Sequence, residues 1–140
     1  MSELATNPDE ERAQAQRKHI LGVNGHPPFL ELLREILQDE HFNVTTTNYV
    51  PQTFDLITAL KPNLIIVDLV VYQLAGWELL ERLHQDVVTC AIPLLLTSTN
   101  ATLLERARDE AARYGDHPVL VSPFELTDLL QAIESLIGKA

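Results

Sequence analysis

The sequence predicts an α/β domain in which one open sheet of five parallel strands carries helices on both faces. The first observation is an alternation: five short apolar runs that suit strands are each followed by a segment with apolar residues at helical spacing. The second is the run Leu64–Asp68 (LIIVD), which lacks polar alternation and is typical of a strand buried on both faces. Strands that alternate with helices imply right-handed crossovers and therefore a parallel sheet.

Local signals define the elements in order along the chain. The first strand breaks at the turn dipeptide Asn24-Gly25, and Pro27-Pro28 suits the first turn of a helix, where proline needs no N–H. The strands are predicted at 19–23, 42–46, 64–68, 92–97 and 118–121, and the helices after the first at 51–60, 74–83, 101–114 and 125–137. Helical spacing predicts that the first helix buries Phe29, Leu32, Leu33, Ile36 and Leu37, and the last Leu126, Leu129, Leu130, Ile133 and Ile137.

Composition and charge exclude several classes of protein. The chain has 140 residues, 46% of them hydrophobic, which is enough for one domain with its own core, and no apolar run reaches the about 20 residues that cross a bilayer. A net charge of −10 repels the phosphates of nucleic acids. Residues 1–17 predict a flexible polar tail without a secretory signal, followed by one domain over 18–140. Cys90, the single cysteine, is expected in the core of a cytoplasmic protein.

Polar residues gather at the predicted carboxyl ends of the strands, where open parallel sheets place their sites. Asp68 ends the third strand, and Thr97 and Ser98 end the fourth. Asn24, Gly25 and His26 follow the first strand, and Ser122 and Pro123 follow the fifth. No glycine-rich phosphate loop accompanies them, which argues against a nucleotide-dependent enzyme.

Four segments together resemble the receiver domain of bacterial two-component response regulators, the CheY-like family. They are ILGVNGHP (20–27), LIIVDLVVYQLAGWELLERL (64–83), IPLLLTS (92–98) and VLVSPF (119–124), and the resemblance extends over about residues 18–139. It implies a flavodoxin-like (βα)5 fold in which an aspartate accepts a phosphoryl group from a histidine kinase. It further implies an acidic pair that holds Mg²⁺, and a hydroxyl and a lysine that bind the phosphoryl oxygens.

Residue by residue, the resemblance is incomplete. Asp68 matches the phosphoacceptor, Thr97 matches the hydroxyl, and Ser98 and Ser122 fall in the implied phosphoryl pocket. Several positions depart from the family pattern: Asn24 and Gly25 replace the acidic pair, Ser122 replaces the lysine, Tyr72 replaces a proline after the aspartate, and Val119 replaces the aromatic switch residue of the fifth strand. Gly76 and Pro123 match, and the Ser122-Pro123 peptide is expected to be cis.

These departures predict a stand-alone atypical receiver that acts by docking on other proteins, largely independently of phosphorylation. No metal site is expected, although a weak Mg²⁺ site would use Asp68. An alternative is a conventional switch in which Asp68 is phosphorylated slowly with Mg²⁺, and Asp68 could also be purely structural. A more remote alternative is a cobalamin-binding domain, because His26 stands at the offset that such domains use. No enzymatic activity is predicted.

The expected partner is a sensor histidine kinase or another signalling protein, with neither nucleic acid nor membrane. Receivers commonly use the face made by the fourth helix, fifth strand and fifth helix for partners and for self-association. This face is therefore the predicted docking surface, and a homodimer through it is predicted. Its charges would be Arg106, Arg108 and Arg113 beside Asp128 and Glu134. The alternative interpretation of the three arginines is a solvated helix face.

Overall fold

A computed structural model describes residues 8, 17–24, 26–48, 52–70 and 74–139, and it shows one sheet of five parallel strands. The strands are β1 (His19–Val23), β2 (Asn43–Thr47), β3 (Leu64–Asp68), β4 (Leu94–Ser98) and β5 (Val119–Val121). Their order in the sheet is β2-β1-β3-β4-β5. The predicted fold class is therefore confirmed, and β3 lies at the centre of the sheet with all five of its residues buried.

The helices cover the sheet as the alternation predicts, with one difference. They are α1 (Pro27–Asp39), α2 (Thr53–Leu60), α3 (Leu74–Gln85), α4 (Ala101–Asp109), α5 (Ala111–Tyr114) and α6 (Leu126–Ile137), with a 3-10 turn at Thr89–Ala91. The single helix predicted over 101–114 is two helices, because Glu110 leaves helical geometry at φ −103° and ψ 37°.

The core consists of two clusters built largely from alternate residues of the strands. Ile65 and Val67 of β3 contribute to one cluster, and Leu64 and Ile66 to the other, as expected for side chains that point to opposite faces of a sheet. The first cluster packs against α3 and α4, and the second against α1 and α6. The apolar run at 64–67 is thus explained by helices on both faces.

The helix α1 packs against β1 at Gly22, and the backbone N–H groups of its first turn are hydrogen-bonded. A β-carbon at Gly22 of β1 would come within 2.9 Å of Leu33 Cδ2, so the glycine permits this close approach. Prolines occupy the first two positions of α1, and the N–H groups of Phe29 and Leu30 both donate to the His26 carbonyl at 3.1 and 3.3 Å.

Three predictions of core residues are wrong. Leu32 is 55% exposed and Leu126 is 46% exposed, because both lie at the rim of a groove between α1 and α6 rather than against the sheet. Cys90 is exposed in the 3-10 turn before β4. Its neighbour Thr89 takes the buried position there and donates from Oγ1 to the Leu83 carbonyl at 2.9 Å. Among the described residues, no helix is long and apolar enough to cross a membrane.

Candidate phosphoacceptor site

The site is centred on Asp68, where the central strand of the sheet ends. Asp68 and Thr97 are register partners across β3 and β4, so the parallel sheet itself places their side chains together. Thr97 is fully buried, and its Oγ1 donates to Asp68 Oδ1 at 2.5 Å. The pairing of a carboxylate with a hydroxyl at one strand edge is the part of the predicted site that the structure brings together directly.

Asn24 completes this group from the end of β1. Its backbone N–H donates to the Thr47 carbonyl at 3.1 Å, and its side chain is 2% exposed. Its Oδ1 accepts the His26 backbone N–H at 2.6 Å, which closes a turn over two residues. The same side chain also acts on Asp68 and lowers the pKa of its carboxyl.

Burial dominates the electrostatics of Asp68, which is 9% exposed. Desolvation raises the pKa of the Asp68 carboxyl above its ordinary value, although the hydrogen bonds from Thr97 and Asn24 and the charge of His26 each lower it in part. The two donors are neutral, so they stabilise the carboxylate less than a cation in direct contact would.

His26 is a functional candidate whose relation to Asp68 the sequence did not reveal. Sequence reasoning placed His26 at a strand end and considered it only for cobalamin, whereas in the structure its charge acts on Asp68. The spacing of Asn24 and His26 is the signal that was available, because an asparagine commonly caps the backbone N–H two residues later. His26 is exposed at the mouth of the site.

Ser98 and Ser122, the other residues of the predicted phosphoryl pocket, are bonded to backbone groups. Ser98 Oγ donates to the Leu69 carbonyl at 2.6 Å and accepts the Asn100 N–H at 3.0 Å, so this hydroxyl holds two loops together. Ser122 joins the same edge through its N–H, which donates to the Ser98 carbonyl at 2.8 Å. The Ser122-Pro123 peptide is cis, as expected. The predictions for Gly25 and Tyr72 lie outside the described residues.

An aromatic pair lies on the α3 side of the sheet, in the same cluster as Val119. The rings of Trp77 and Tyr114 are 5.0 Å apart, and the Arg106 guanidinium stands 4.4 Å from the centre of the Trp77 ring. Val119 packs against this cluster, so the fifth-strand position that the resemblance assigns to an aromatic switch residue is aliphatic here.

Two of the three arginines of the predicted docking face are paired within the chain. Arg106 Nε pairs with Glu110 at 2.9 Å within its own helical segment, and Arg113 Nη2 pairs with Glu81 of α3 at 2.9 Å. Arg108 is exposed.

The fold and the strand-end site define a class of signalling domain, and comparison with known proteins agrees. The model of the response regulator receiver domain family matches residues 20–134. The chain therefore belongs to this family, and it is a receiver domain of two-component signalling. Such domains are signalling modules that interact with histidine kinases and other signalling proteins. The family match decides against the cobalamin-binding alternative.

Individual relatives are distant. The chain is 29% identical over 119 residues to the probable transcriptional regulator ycf29 of Porphyra purpurea, covering 85% of this chain and 56% of that protein. It is 22% identical over 124 residues to histidine kinase P4 of Formosa agariphila, covering 89% of this chain and 9% of that protein. The chain thus spans about half the length of the first of these relatives and about a tenth of the length of the second.

Solved structures confirm the fold. A crystal structure of a response regulator from Chloroflexus aurantiacus superposes with a TM-score of 0.76 at 22% identity, covering 89% of this chain and all of the other.

Proposed function

We propose that this receiver domain acts mainly by docking on a partner protein, with little dependence on phosphorylation of Asp68. The observation that supports it best is the arrangement of Asn24. Its side-chain oxygen accepts the His26 N–H at 2.6 Å. Asn24 therefore occupies the position of a metal-binding carboxylate, while its one side-chain oxygen is already held in the turn to His26.

Mg²⁺ fits this arrangement poorly. The ion requires hard oxygen ligands near an octahedron and is usually held by one or two carboxylates. To use Asn24 Oδ1 as a ligand, the ion would have to break the turn to His26. Among the described residues, no three His, Cys, Asp or Glu side chains form a group that could hold a metal ion. We therefore derive no step through Mg²⁺.

Phosphoryl transfer needs positive charge near the transferred oxygens. Ser122 stands where the family lysine would be. Among the described side chains, the charge of His26 acts on Asp68, and His26 is exposed. A phosphoryl group on Asp68 would lie next to the neutral Thr97 hydroxyl. The alternative function, a weak Mg²⁺-dependent switch at Asp68, is the other outcome of the experiment below.

The experiment uses the fluorescence of Trp77, the single tryptophan. The protein is titrated with Mg²⁺, and then with Mg²⁺ and beryllofluoride, which mimics an aspartyl phosphate. An Asp68→Asn variant is the negative control. The matched positive control restores the family residues in one variant: Asn24→Asp, Gly25→Asp and Ser122→Lys. We expect no saturable change in the natural protein and a saturable change in the restored variant.

The outcomes separate the two functions. A saturable response of the natural protein in the millimolar Mg²⁺ range, lost in Asp68→Asn, would establish the conventional switch and overturn the proposal. A response confined to the restored variant would support it, because the probe would then be shown to work in this fold. Circular dichroism confirms that each variant is folded.

A groove between α1 and α6 is the docking surface that we propose for the partner. Its volume is about 280 Å³, and its lining is mainly apolar: Phe29, Leu32, Leu33, Ile36, Ser122, Pro123, Phe124, Leu126 and Leu129. Two leucines at the rim are about half exposed, although they would be expected in the core. Ser122 belongs both to this groove and to the strand edge that carries Asp68, so a partner seated here would sit beside the phosphoacceptor position.

An amphipathic helix would fit this apolar groove. Because the chain is a receiver domain, we propose that this helix belongs to the dimerisation helices of a histidine kinase. Titration calorimetry with such helical fragments tests this surface. Leu32→Glu should abolish binding without unfolding the protein, because the side chain is already 55% exposed. The control is Leu74→Glu, which changes a leucine that is also exposed but lies on α3. Equal loss in both variants would contradict a specific groove.

The homodimer through the face made by α4, β5 and α6 stays a prediction. Because Arg106 and Arg113 pair within the chain, the charges left for it are Arg108, Asp128 and Glu134, all exposed. If this face associates, Arg108→Glu should raise the dissociation constant in analytical ultracentrifugation, while Arg34→Glu on α1 should not.

A further inference from the structure

The apolar groove between α1 and α6 has an acidic border along α1. Leu32 and Ile36 line the groove one helical turn apart. Residues three or four apart are neighbours on the surface of a helix, so Glu35 and Asp39 flank this pair, and Glu31 continues the same row one turn earlier. All three acidic side chains are exposed. A row of three carboxylates therefore borders the groove on its α1 side.

The start of α6, on the other wall of the groove, adds two carboxylates. Glu125 and Asp128 are exposed and stand on either side of Leu126 in the chain, the leucine that is 46% exposed at the rim. Within the described part of the chain, none of these five carboxylates forms an ion pair. The single basic residue of α1, Arg34, donates from Nη2 to Thr46 Oγ1 at 2.6 Å, and α6 has no basic residue.

This border is more acidic than the rest of the helical surface. The net charge of the chain is −10, but its charges are distributed unevenly between the two faces of the sheet. The helices on the opposite face, α3 to α5, carry four arginines among their acidic residues: Arg82, Arg106, Arg108 and Arg113. A partner that approaches the groove therefore meets a mainly negative surface, which attracts basic groups and repels acidic ones.

The acidic row does not stabilise α1 itself. Glu31 with Glu35, and Glu35 with Asp39, are like-charge pairs four residues apart, which destabilise a helix. Asp39 also stands at the C-terminal end of α1, where the helix dipole favours a positive charge and the last turn has no basic residue. Positive charges on a bound partner would relieve both kinds of repulsion.

We propose that the helix that docks in this groove carries lysines or arginines along both edges of its apolar face. This inference rests on the proposed docking function of the groove and adds the charge of the partner. Apolar residues at i, i+3, i+4 and i+7 would fill the groove. The basic residues would reach the three carboxylates of α1 on one side and the two of α6 on the other. A second copy of this chain would bring the same acidic border and would be repelled.

The test uses two synthetic helical peptides that differ only in charge. Both carry leucines at i, i+3, i+4 and i+7, and the positions beside the leucines are lysine in one peptide and glutamate in the other. Calorimetry with the full chain measures both affinities at low and at physiological ionic strength. We expect the lysine peptide to bind about tenfold more tightly or better, and this preference to shrink as salt is added.

Two charge-reversal variants test where the lysine peptide binds. The double variant Glu31→Lys, Glu35→Lys reverses two charges of the acidic row. The matched control, Glu78→Lys with Glu105→Lys, changes the net charge equally at exposed positions of α3 and α4. We expect the first to weaken binding about tenfold and the control to change it less than about twofold. Leu32→Glu should also weaken binding, although it adds a negative charge, because the peptide lies in the groove.

The outcomes separate this inference from the docking function of the groove. Equal affinity of the two peptides, or an equal loss in the two charge-reversal variants, would overturn the inference. The groove itself would then still be judged by the histidine-kinase fragments and Leu32→Glu. Binding of the lysine peptide that Leu32→Glu leaves unchanged would indicate general attraction to an acidic protein and would also overturn the inference, as would no saturable binding of that peptide. Circular dichroism confirms that each variant is folded.

Discussion

The bond between Thr97 and Asp68 gives the sharpest test of the site, through the substitution Thr97→Val. Valine keeps the shape of threonine and removes only the hydroxyl, which donates to Asp68 Oδ1 at 2.5 Å from a fully buried position. A hydrogen bond to a charged group contributes about 2 kcal/mol to stability, and a neutral one contributes about 1 kcal/mol. We therefore expect Thr97→Val to lower the free energy of unfolding by about 2 kcal/mol where Asp68 is ionised.

The pH dependence of this loss follows from the direction of the pKa shift. The Thr97 bond is one of the contacts that lower the pKa of Asp68 against the larger effect of burial. Its removal raises that pKa further, so the ionised carboxyl becomes more costly in the folded state. The destabilisation by Thr97→Val should therefore grow as the pH rises through the pKa of Asp68, and shrink towards about 1 kcal/mol below it.

The assay is urea unfolding from about pH 3, below the ordinary aspartate pKa of about 3.9, up to pH 8, of the natural protein, Thr97→Val, Asp68→Asn and the double variant. In the Asp68→Asn background the bond is neutral, so Thr97→Val should cost only about 1 kcal/mol. The difference between the two backgrounds is the coupling energy. A coupling near zero at pH 8, or a cost that does not change with pH, would refute the assigned bond between the hydroxyl and an ionised carboxylate.

Three further predictions follow from other features. Burial raises the pKa of the Asp68 carboxyl in the folded state. The protonated carboxyl therefore stabilises the fold below its unfolded pKa, and this stabilisation is lost as the pH rises through the folded pKa. Asp68→Asn should thus be more stable than the natural protein at pH 8, and the difference between their thermal melts should shrink on acidification. Gly22→Ala should cost about 1 kcal/mol in urea unfolding, because its β-carbon would lie 2.9 Å from Leu33 Cδ2 and the end of that buried side chain would have to shift; a gain in stability would contradict the contact. Arg106→Ala removes a guanidinium 4.4 Å from the centre of the Trp77 ring and should shift the tryptophan emission with a smaller loss of stability than Gly22→Ala; an unchanged spectrum would contradict the contact.

The sequence was sufficient for the fold and for the centre of the site because both depend on regular geometry. A parallel sheet brings the carboxyl ends of its strands to one edge, so two polar residues that end adjacent strands must meet. Asp68 and Thr97 end two adjacent strands, and the structure pairs them as the strand ends in the sequence predict.

Other features depend on contacts that no periodicity encodes. The Asn24 side chain accepts the His26 N–H and lies near enough to Asp68 to lower the pKa of its carboxyl, an arrangement that only the three-dimensional turn determines. Arg113 pairs with Glu81, 32 residues away in the chain, so the charge pattern of its own segment could not predict its partner. The exposure of Cys90 depends on which residue of a short turn faces inwards, and Thr89 does so.

The first turn of α1 has a consequence for any anion that approaches the site. The N-terminus of a helix ordinarily offers free N–H groups to a phosphate. Here Pro27 and Pro28 have no N–H, and those of Phe29 and Leu30 are both donated to the carbonyl of His26. The helix that begins at the mouth of the Asp68 pocket thus has no free backbone donor in its first turn. A phosphoryl group would find less backbone support there than a helix start usually provides, whatever the state of Asp68.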